Sequence, residues 1–213
     1  MANELTLHIS DWHELHKGFD LTLNSGFTAI IGPNGAGKTT LLNQLKEYAE
    51  KNDFVLWSYS NVVEGSFATQ MYLDSGKFED LATAAFASEG EKVAFNFSRT
   101  IQEIGMTVRK AHLARKPCLI LLDAVDSGAS IDRARDLRNL FEIIHKDMQG
   151  SPAYAVMAVN QYEIAQAPTD CVNARNGEHI TFPTYGEYAD FICAFEKKFP
   201  RIRTKPSCKK SNR

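Results

Sequence analysis

Three short β-patterned runs open the chain, at positions 5–9, 19–23 and 27–31, and Asn24, Ser25 and Gly26 form a turn cluster between the second and third. From Lys38 the period changes: Leu41, Leu42, Leu45 and Tyr48 recur at three and four, with Glu47 and Glu50 on the other side, predicting a helix. Residues 54–59 read as a buried strand, and the small, polar, mixed stretch 61–87 as a modest helical lobe. A long helix is expected over 89–116, stopped by Pro117. The apolar run 118–122 suits a strand buried on both faces of a parallel sheet. A second amphipathic helix follows over 132–149, ended by Gly150 and Pro152, then a buried strand over 154–159 and a closing helix over 186–199. Strands alternating with helices, without an internal repeat, predict an α/β sandwich with a largely parallel core.

Composition adds exclusions. A chain of 213 residues can bury one sizeable core, and 44% hydrophobic with 23% charged residues is the balance of a folded globule rather than a disordered one. The longest clean apolar run, 118–122, is far short of the ~20 residues a bilayer-spanning helix needs. The first residues carry no basic segment followed by an apolar one, so neither a signal peptide nor membrane insertion is expected. Cys118, Cys171, Cys193 and Cys208 are scattered, which argues against a zinc site or a disulfide framework and for reduced thiols in a cytoplasm. The net charge of −2 conceals an asymmetry, because eight basic residues and no acidic ones lie from Lys197 to the end. Removing these eight from the chain's 24 leaves 16 basic residues against 26 acidic ones. We therefore divide the chain into a body, 1–196, and a basic tail, 197–213, which is either a solvated terminus or a contact for nucleic acid.

The strongest local signal is Gly32-Pro33-Asn34-Gly35-Ala36-Gly37-Lys38-Thr39, which fits GxxxxGK[ST] at every fixed position. It stands where a phosphate-binding loop must stand, after the run 27–31 and opening the helix from Lys38. Glycines let such a loop turn successive N–H groups inward, and the helix N-terminus adds its positive dipole end. Asn34, Gly35, Ala36, Gly37, Lys38, Thr39 and Thr40 are thus the expected phosphate contacts, with Lys38 reaching the β- and γ-phosphates and the Thr39 hydroxyl holding magnesium.

The longer string from Gly32 to Leu42, GPNGAGKTTLL, resembles the first nucleotide-binding motif of ABC ATPases, including the SMC and RecF-like branches. Three further segments agree in order. Leu119-Ile120-Leu121-Leu122-Asp123 resembles the Walker B strand, and Ala124-Val125-Asp126-Ser127-Gly128 its SMC-type continuation. Ala87-Ser88-Glu89-Gly90-Glu91-Lys92 resembles the signature loop of the RecF-like branch, opening a long helix. The resemblance implies a P-loop NTPase fold: a three-layer ABC-type sandwich with a small antiparallel β lobe and a helical lobe. It further implies Mg-ATP on the P-loop, Asp123 on the metal side, and Ser88 and Gly90 closing over the nucleotide of a second copy, so that ATP joins a homodimer. A helix cap at Ser88, completed by Glu91, is the structural alternative for the signature residues.

Two departures bear on catalysis. Where the family carries a water-polarising Glu after the Walker B Asp, this chain has Ala124, and where the family's switch His would follow the strand 154–159 it has Asn160. Neither side chain can act as a base. Asp126 is the remaining candidate to position water, and Ser130 stands near the family's D-loop Asp. The reading is a chain that binds ATP and hydrolyses it slowly, with DNA association as in its relatives. A non-hydrolysing recruitment switch and a transporter subunit are the alternatives. Gln70 is a candidate for the Gln-loop contact to magnesium, and Trp12, beside His13 and His16, for stacking on adenine. His8, His13 and His16 lack the companions of a metal site. Tyr185, Tyr188, Phe191, Ile192 and Phe195 fall at helical spacing and are expected to pack the last helix on the sheet.

Overall fold

The computed structural model describes residues 4–11, 17–60, 89–127, 129–148 and 151–198. Trp12, His13, His16, the stretch 61–87 with Gln70, Ser88, and the tail beyond Lys198 lie outside the described residues.

Strands β1 (Glu4–Ile9) and β2 (Phe19–Asn24) pair antiparallel, from Glu4 opposite Asn24 to Ile9 opposite Phe19. Their alternation sends Leu7, Ile9, Leu21 and Leu23 inward and His8 and Asp20 outward, as a half-buried hairpin requires. Then follow β3 (Gly26–Ile31), α1 (Lys38–Lys51), β4 (Val55–Ser60), α2 (Glu89–Ala114), β5 (Cys118–Asp123) and α3 (Ile131–Met148). The chain continues through β6 (Ala153–Val159), the one-turn α4 (Tyr162–Ala165), β7 (Asp170–Asn173), β8 (His179–Ile180) and α5 (Tyr185–Lys198).

Six strands form the main sheet in the order β4-β5-β6-β3-β7-β8, every pairing parallel except β7 with β8. A parallel sheet needs both faces covered, and the central strands meet that demand with uninterrupted apolar runs: every residue of β3 and β6 is buried. On one face Phe27, Ile31, Ile120, Leu122 and Met157 pack on α2 and α3, with the Phe27 and Phe141 rings stacked 4.7 Å apart. On the other, Ile30, Leu119, Leu121 and Val156 meet Leu41, Leu42 and Leu45 of α1 and the inward side of the hairpin. The expected α/β sandwich with a parallel-rich sheet and an antiparallel lobe is what is observed.

Differences arise at the edges. The long helix ends at Ala114 rather than Lys116, because Arg115 turns left-handed at φ 54. The Lys116 N–H then reaches back to Ala111 O, and the Arg115 N–H to His112 O, closing the helix end. Helix α1 stops in the same way: Asp53 sits at φ 58 and the Phe54 N–H bonds Ala49 O. The two ends are joined by Lys116 Nζ on Asp53 Oδ1 at 2.6 Å. Strands β7 and β8 were not anticipated. Their hairpin turns at Asn176-Gly177, with Gly177 at φ 70 against the Phe19 ring.

Candidate nucleotide site

Strand order builds the site. The chain leaves β3 for the far side of the sheet and returns through β5, while β6 inserts between β5 and β3. The loops after β3, β6 and β5 therefore emerge side by side at the carboxyl end of the sheet, the usual crevice for ligands in parallel α/β folds.

The loop after β3 has the conformations that its glycines permit. Gly35 and Gly37 lie at φ 84 and 94, where other residues are strained, and a side chain on Gly32 would meet the Ala36 Cβ at 2.8 Å. Gly37 caps α1 without any side-chain hydrogen bond, and the first helical bond runs from the Leu41 N–H to Gly37 O. The N–H groups of Lys38, Thr39 and Thr40 thus have no acceptor within the helix and form an anion-binding end. Lys38 is 8% exposed and its Nζ donates to Gly32 O at 2.5 Å and Pro33 O at 3.2 Å, which employs two of its three N–H groups. Burial pushes its ammonium below the usual lysine range, and the charges of Asp126 and then Asp123 oppose that shift. A desolvated cation beside outward N–H groups is a cradle that a polyphosphate fits.

Thr39 Oγ1 donates to Asp123 Oδ2 at 3.1 Å and to Oδ1 at 3.3 Å, so the hydroxyl and carboxylate that would hold a magnesium ion already face each other across the crevice. Hard oxygen donors of this kind suit Mg²⁺, which neutralises phosphate charge when bound. Ala124, next in the chain, lies at φ 55. Asp53 and Arg115 share that conformation as helix-end residues, whereas Ala124 holds it beside the crevice with only a methyl to present.

Asp126 stands in a different setting. It is 1% exposed, and its Oδ2 accepts the backbone N–H groups of Asn160 at 2.6 Å and Gln161 at 2.9 Å, while Oδ1 accepts from Asn160 Nδ2 at 3.3 Å. The Gln161 amide returns the contact, donating to Asp126 O at 2.9 Å and Ala129 O at 2.8 Å. Asn160 O accepts the Tyr188 hydroxyl at 2.8 Å. Burial pushes the Asp126 carboxyl above the usual range, opposed by the bonds from Asn160 and Gln161. Burial likewise holds the Tyr188 phenol above its ordinary value, keeping it a donor. Ser130 caps α3: the Arg133 N–H meets its Oγ at 3.4 Å.

Of the sequence-derived candidates, Asn34 to Thr40 and Asp123 come together around one crevice, and Asp126 and Asn160 meet beside it. Gly90 falls in the first turn of α2. Gln161 and the hydroxyl contact of Tyr188 escaped the sequence reading. Tyr188 does pack as expected, with its ring 5.3 Å from that of Phe182, and its hydroxyl has the second task.

A P-loop at the mouth of a parallel sheet, facing a strand-end aspartate, defines a P-loop nucleotide-binding fold. The chain belongs to the ATPase family associated with various cellular activities (AAA), whose model matches residues 28–183; a second model, described as an AAA domain, matches residues 6–49. It is an ATP-binding domain of AAA ATPase type. No curated protein sequence matches the chain. Among solved structures it is similar to a nucleotide-free ATP-binding cassette from an ABC transporter, with TM-score 0.51, 18% identity, and 92% of this chain and 97% of that one covered. Another is the ADP conformation of an ATP-binding cassette of an ABC transporter, with TM-score 0.47, 15% identity, and 91% and 95% covered. At 18% identity the first likeness is one of fold. The SMC or RecF-like branch is not singled out by any of these matches. Among the described residues no helix is long and apolar enough to cross a membrane.

Proposed function

We propose that this chain is a Mg-ATP-dependent switch of the ABC/SMC-like kind, which holds ATP on Asn34–Thr40 and hydrolyses it slowly. One observation carries the reading: beside the Thr39–Asp123 pair stands Ala124, and the neighbouring carboxylate of Asp126 is occupied by Asn160 and Gln161. Asp123 and Thr39 would hold the metal, and Lys38 and the first-turn N–H groups the phosphates. Among the described residues no base is then left beside the crevice to activate water. A missing general base lowers turnover by about two to four decades. Slow hydrolysis suits a switch, because the bound state outlives any single encounter.

The second half of the reading is assembly. The Ser88–Gly90 segment resembles a signature loop, and its helix-opening position suits contact with the γ-phosphate of a second copy, so ATP would join two chains. Only a ligand bound more tightly by the dimer than by the monomer shifts that equilibrium. Light scattering on the eluting protein, with and without Mg-ATP, tests this while phosphate release is assayed in the same sample. An ATP-dependent dimer with turnover far below ~10 per second supports the switch. A monomer that hydrolyses ATP at an ordinary rate overturns both halves. The eight basic residues from Lys197 onward support DNA as the partner, read as a salt-dependent affinity lost on deleting 197–213.

A further inference from the structure

Helix α2 carries a face that neither the sheet nor the nucleotide crevice uses. Its inner side is set by the buried Ile104 and Ala111, with Thr107 and Val108 half-buried between them. On the opposite side Met106 and Leu113 are 64% and 75% exposed. They stand seven positions apart, almost two turns, so the two side chains form one apolar crest. Arg109 and Lys110 flank the crest on either side, and Arg115 follows where the helix ends. All three are exposed and engage no carboxylate among the described residues. Their neighbour Lys116 is the paired one, on Asp53. From Ile104 to Leu122 the sequence holds no Asp or Glu, in a chain whose 26 acidic residues outnumber its 24 lysines and arginines. Cations at a helix carboxyl end answer the negative end of its dipole, which accounts for His112 and Arg115. It does not account for Arg109 and Lys110, a turn earlier, nor for two large apolar side chains on a helix whose other face is already packed.

We propose that the outer crest of α2 is a docking surface for an anionic lipid bilayer. An apolar ridge with a long-stemmed cation on each side suits the boundary between headgroups and acyl chains: Met106 and Leu113 enter it while Arg109 and Lys110 extend to the lipid phosphates. A convex helix ridge fits a deformable layer rather than a pre-shaped partner. Nucleic acid would use the cations but leave the methionine and leucine in water, so it matches half of the face. The chain's net charge of −2 gives no general attraction to an anionic surface, and the local run of cations is what would select one. Helix α2 leads directly into β5, so its carboxyl half lies toward the amino end of the sheet, away from the crevice. Met106 is about 25 Å of helix from Glu89 at the crevice end, so docking leaves the nucleotide site open. The contact is peripheral, made by two side chains and no spanning segment. It stands whether or not the crevice binds nucleotide.

The test is co-sedimentation of the full chain with vesicles of about 30% phosphatidylglycerol in phosphatidylcholine, and with phosphatidylcholine alone, at ~0.1 M salt. The wild type is expected to bind the first and not the second. Because the eight basic residues from Lys197 onward also attract an anionic surface, the first variant leaves every charge in place. Met106→Gln with Leu113→Gln should lower the partition about tenfold. Arg109→Gln with Lys110→Gln should lower it at roughly fivefold per charge. All four side chains are exposed, so thermal melts of both variants should match the wild type. Absence of binding to the anionic vesicles, or equal binding to phosphatidylcholine, overturns the proposal. So does a partition that Met106→Gln with Leu113→Gln leaves unchanged, which would assign the attraction to the basic tail. A DNA duplex bound through Arg109 and Lys110 by a protein that ignores the vesicles overturns it in favour of nucleic acid.

Discussion

Asp123 and Asp126 sit three residues apart after one strand, yet their surroundings are opposites. Asp123 is half-buried at the lip of the crevice, and its described side-chain partner is the Thr39 hydroxyl. Asp126 is fully buried and accepts three N–H groups. A half-exposed carboxylate with one weak partner gives up little when a cation arrives. A buried one whose lone pairs are taken would leave two backbone N–H groups stranded if it turned away, a cost of about 1–3 kcal/mol each. The first is arranged to exchange partners and the second to keep them. The turn after β5 is thus divided between a carboxylate with a loose partner and one with fixed partners, and Ala124 lies between them.

The largest effect that would break this comparison is at position 124. If the site lacks only a base, Ala124→Glu should raise the rate of ATP hydrolysis by about 10²- to 10⁴-fold, measured as phosphate release at saturating Mg-ATP. No increase, with nucleotide binding intact, would mean that a base is already present. Asp126 would then have to leave its partners during turnover, and the contrast between the two carboxylates would fail. Because Ala124 holds φ 55, a glutamate there inherits the same backbone strain and no new one, so the folded state should tolerate it.

How much of this was legible in the sequence follows the range of each interaction. The cradle is local: Gly32 to Thr39 are consecutive, and their spacing alone dictates a loop that turns N–H groups inward ahead of a helix. Asp123 was legible because a strand buried on both faces must end in its first polar residue. The contacts of Asp126 with Asn160 and Gln161 were not, since Asp126 and Gln161 are separated by 35 positions and meet only because β6 inserts beside β5. Tyr188 showed its ring periodicity but not its hydroxyl, whose partner is a main-chain carbonyl that no side-chain pattern encodes. Strand β7 is too short and too polar at its ends to register as a strand, although Asn176-Gly177 is a hairpin signal that points to it.

A smaller effect sharpens the comparison through stability. Asp126→Ala should lower the stability of the nucleotide-free protein by about 1–3 kcal/mol, because it strands the Asn160 and Gln161 N–H groups in a part-buried loop. Asp123→Ala should cost less than about 1 kcal/mol, the scale of one exposed hydrogen bond, while abolishing the dependence of ATP binding on magnesium. For a chain of this size the first corresponds to a fall in Tm of roughly 2–12 °C and the second to less than about 4 °C. Thermal melts with and without Mg-ATP read both. Equal losses for the two variants would show that the environments differ in appearance only.

The smallest expected effect uses a third carboxylate, Asp170, as a surface reference. It pairs with His179, whose Nδ1 lies 2.7 Å from Asp170 Oδ1 and whose Nε2 lies 3.0 Å from Thr22 O, joining the β7–β8 hairpin to β2. Both ring nitrogens face acceptors, so the imidazolium is the form this geometry favours. Partial burial pulls the imidazole down, but the Asp170 hydrogen bond and charge, with the Thr22 contact, together raise it above the ordinary histidine value. A raised folded value means that the stabilisation is fully present below the unfolded histidine value near 6.5 and is lost as pH rises through the higher folded one. The histidine side chain is 39% exposed, so solvent screening limits the contribution to roughly 0.5 kcal/mol or less. Melts at pH 5.5 and 8.5 should show that much excess stability at the lower pH in the wild type, absent in His179→Gln. The buried Asp126 carboxylate should make no such exchange with solvent: His179→Gln should leave nucleotide affinity at either pH unaltered. A change in affinity would mean that the sheet edge, and not only the crevice, is set by a carboxylate of the adaptable kind.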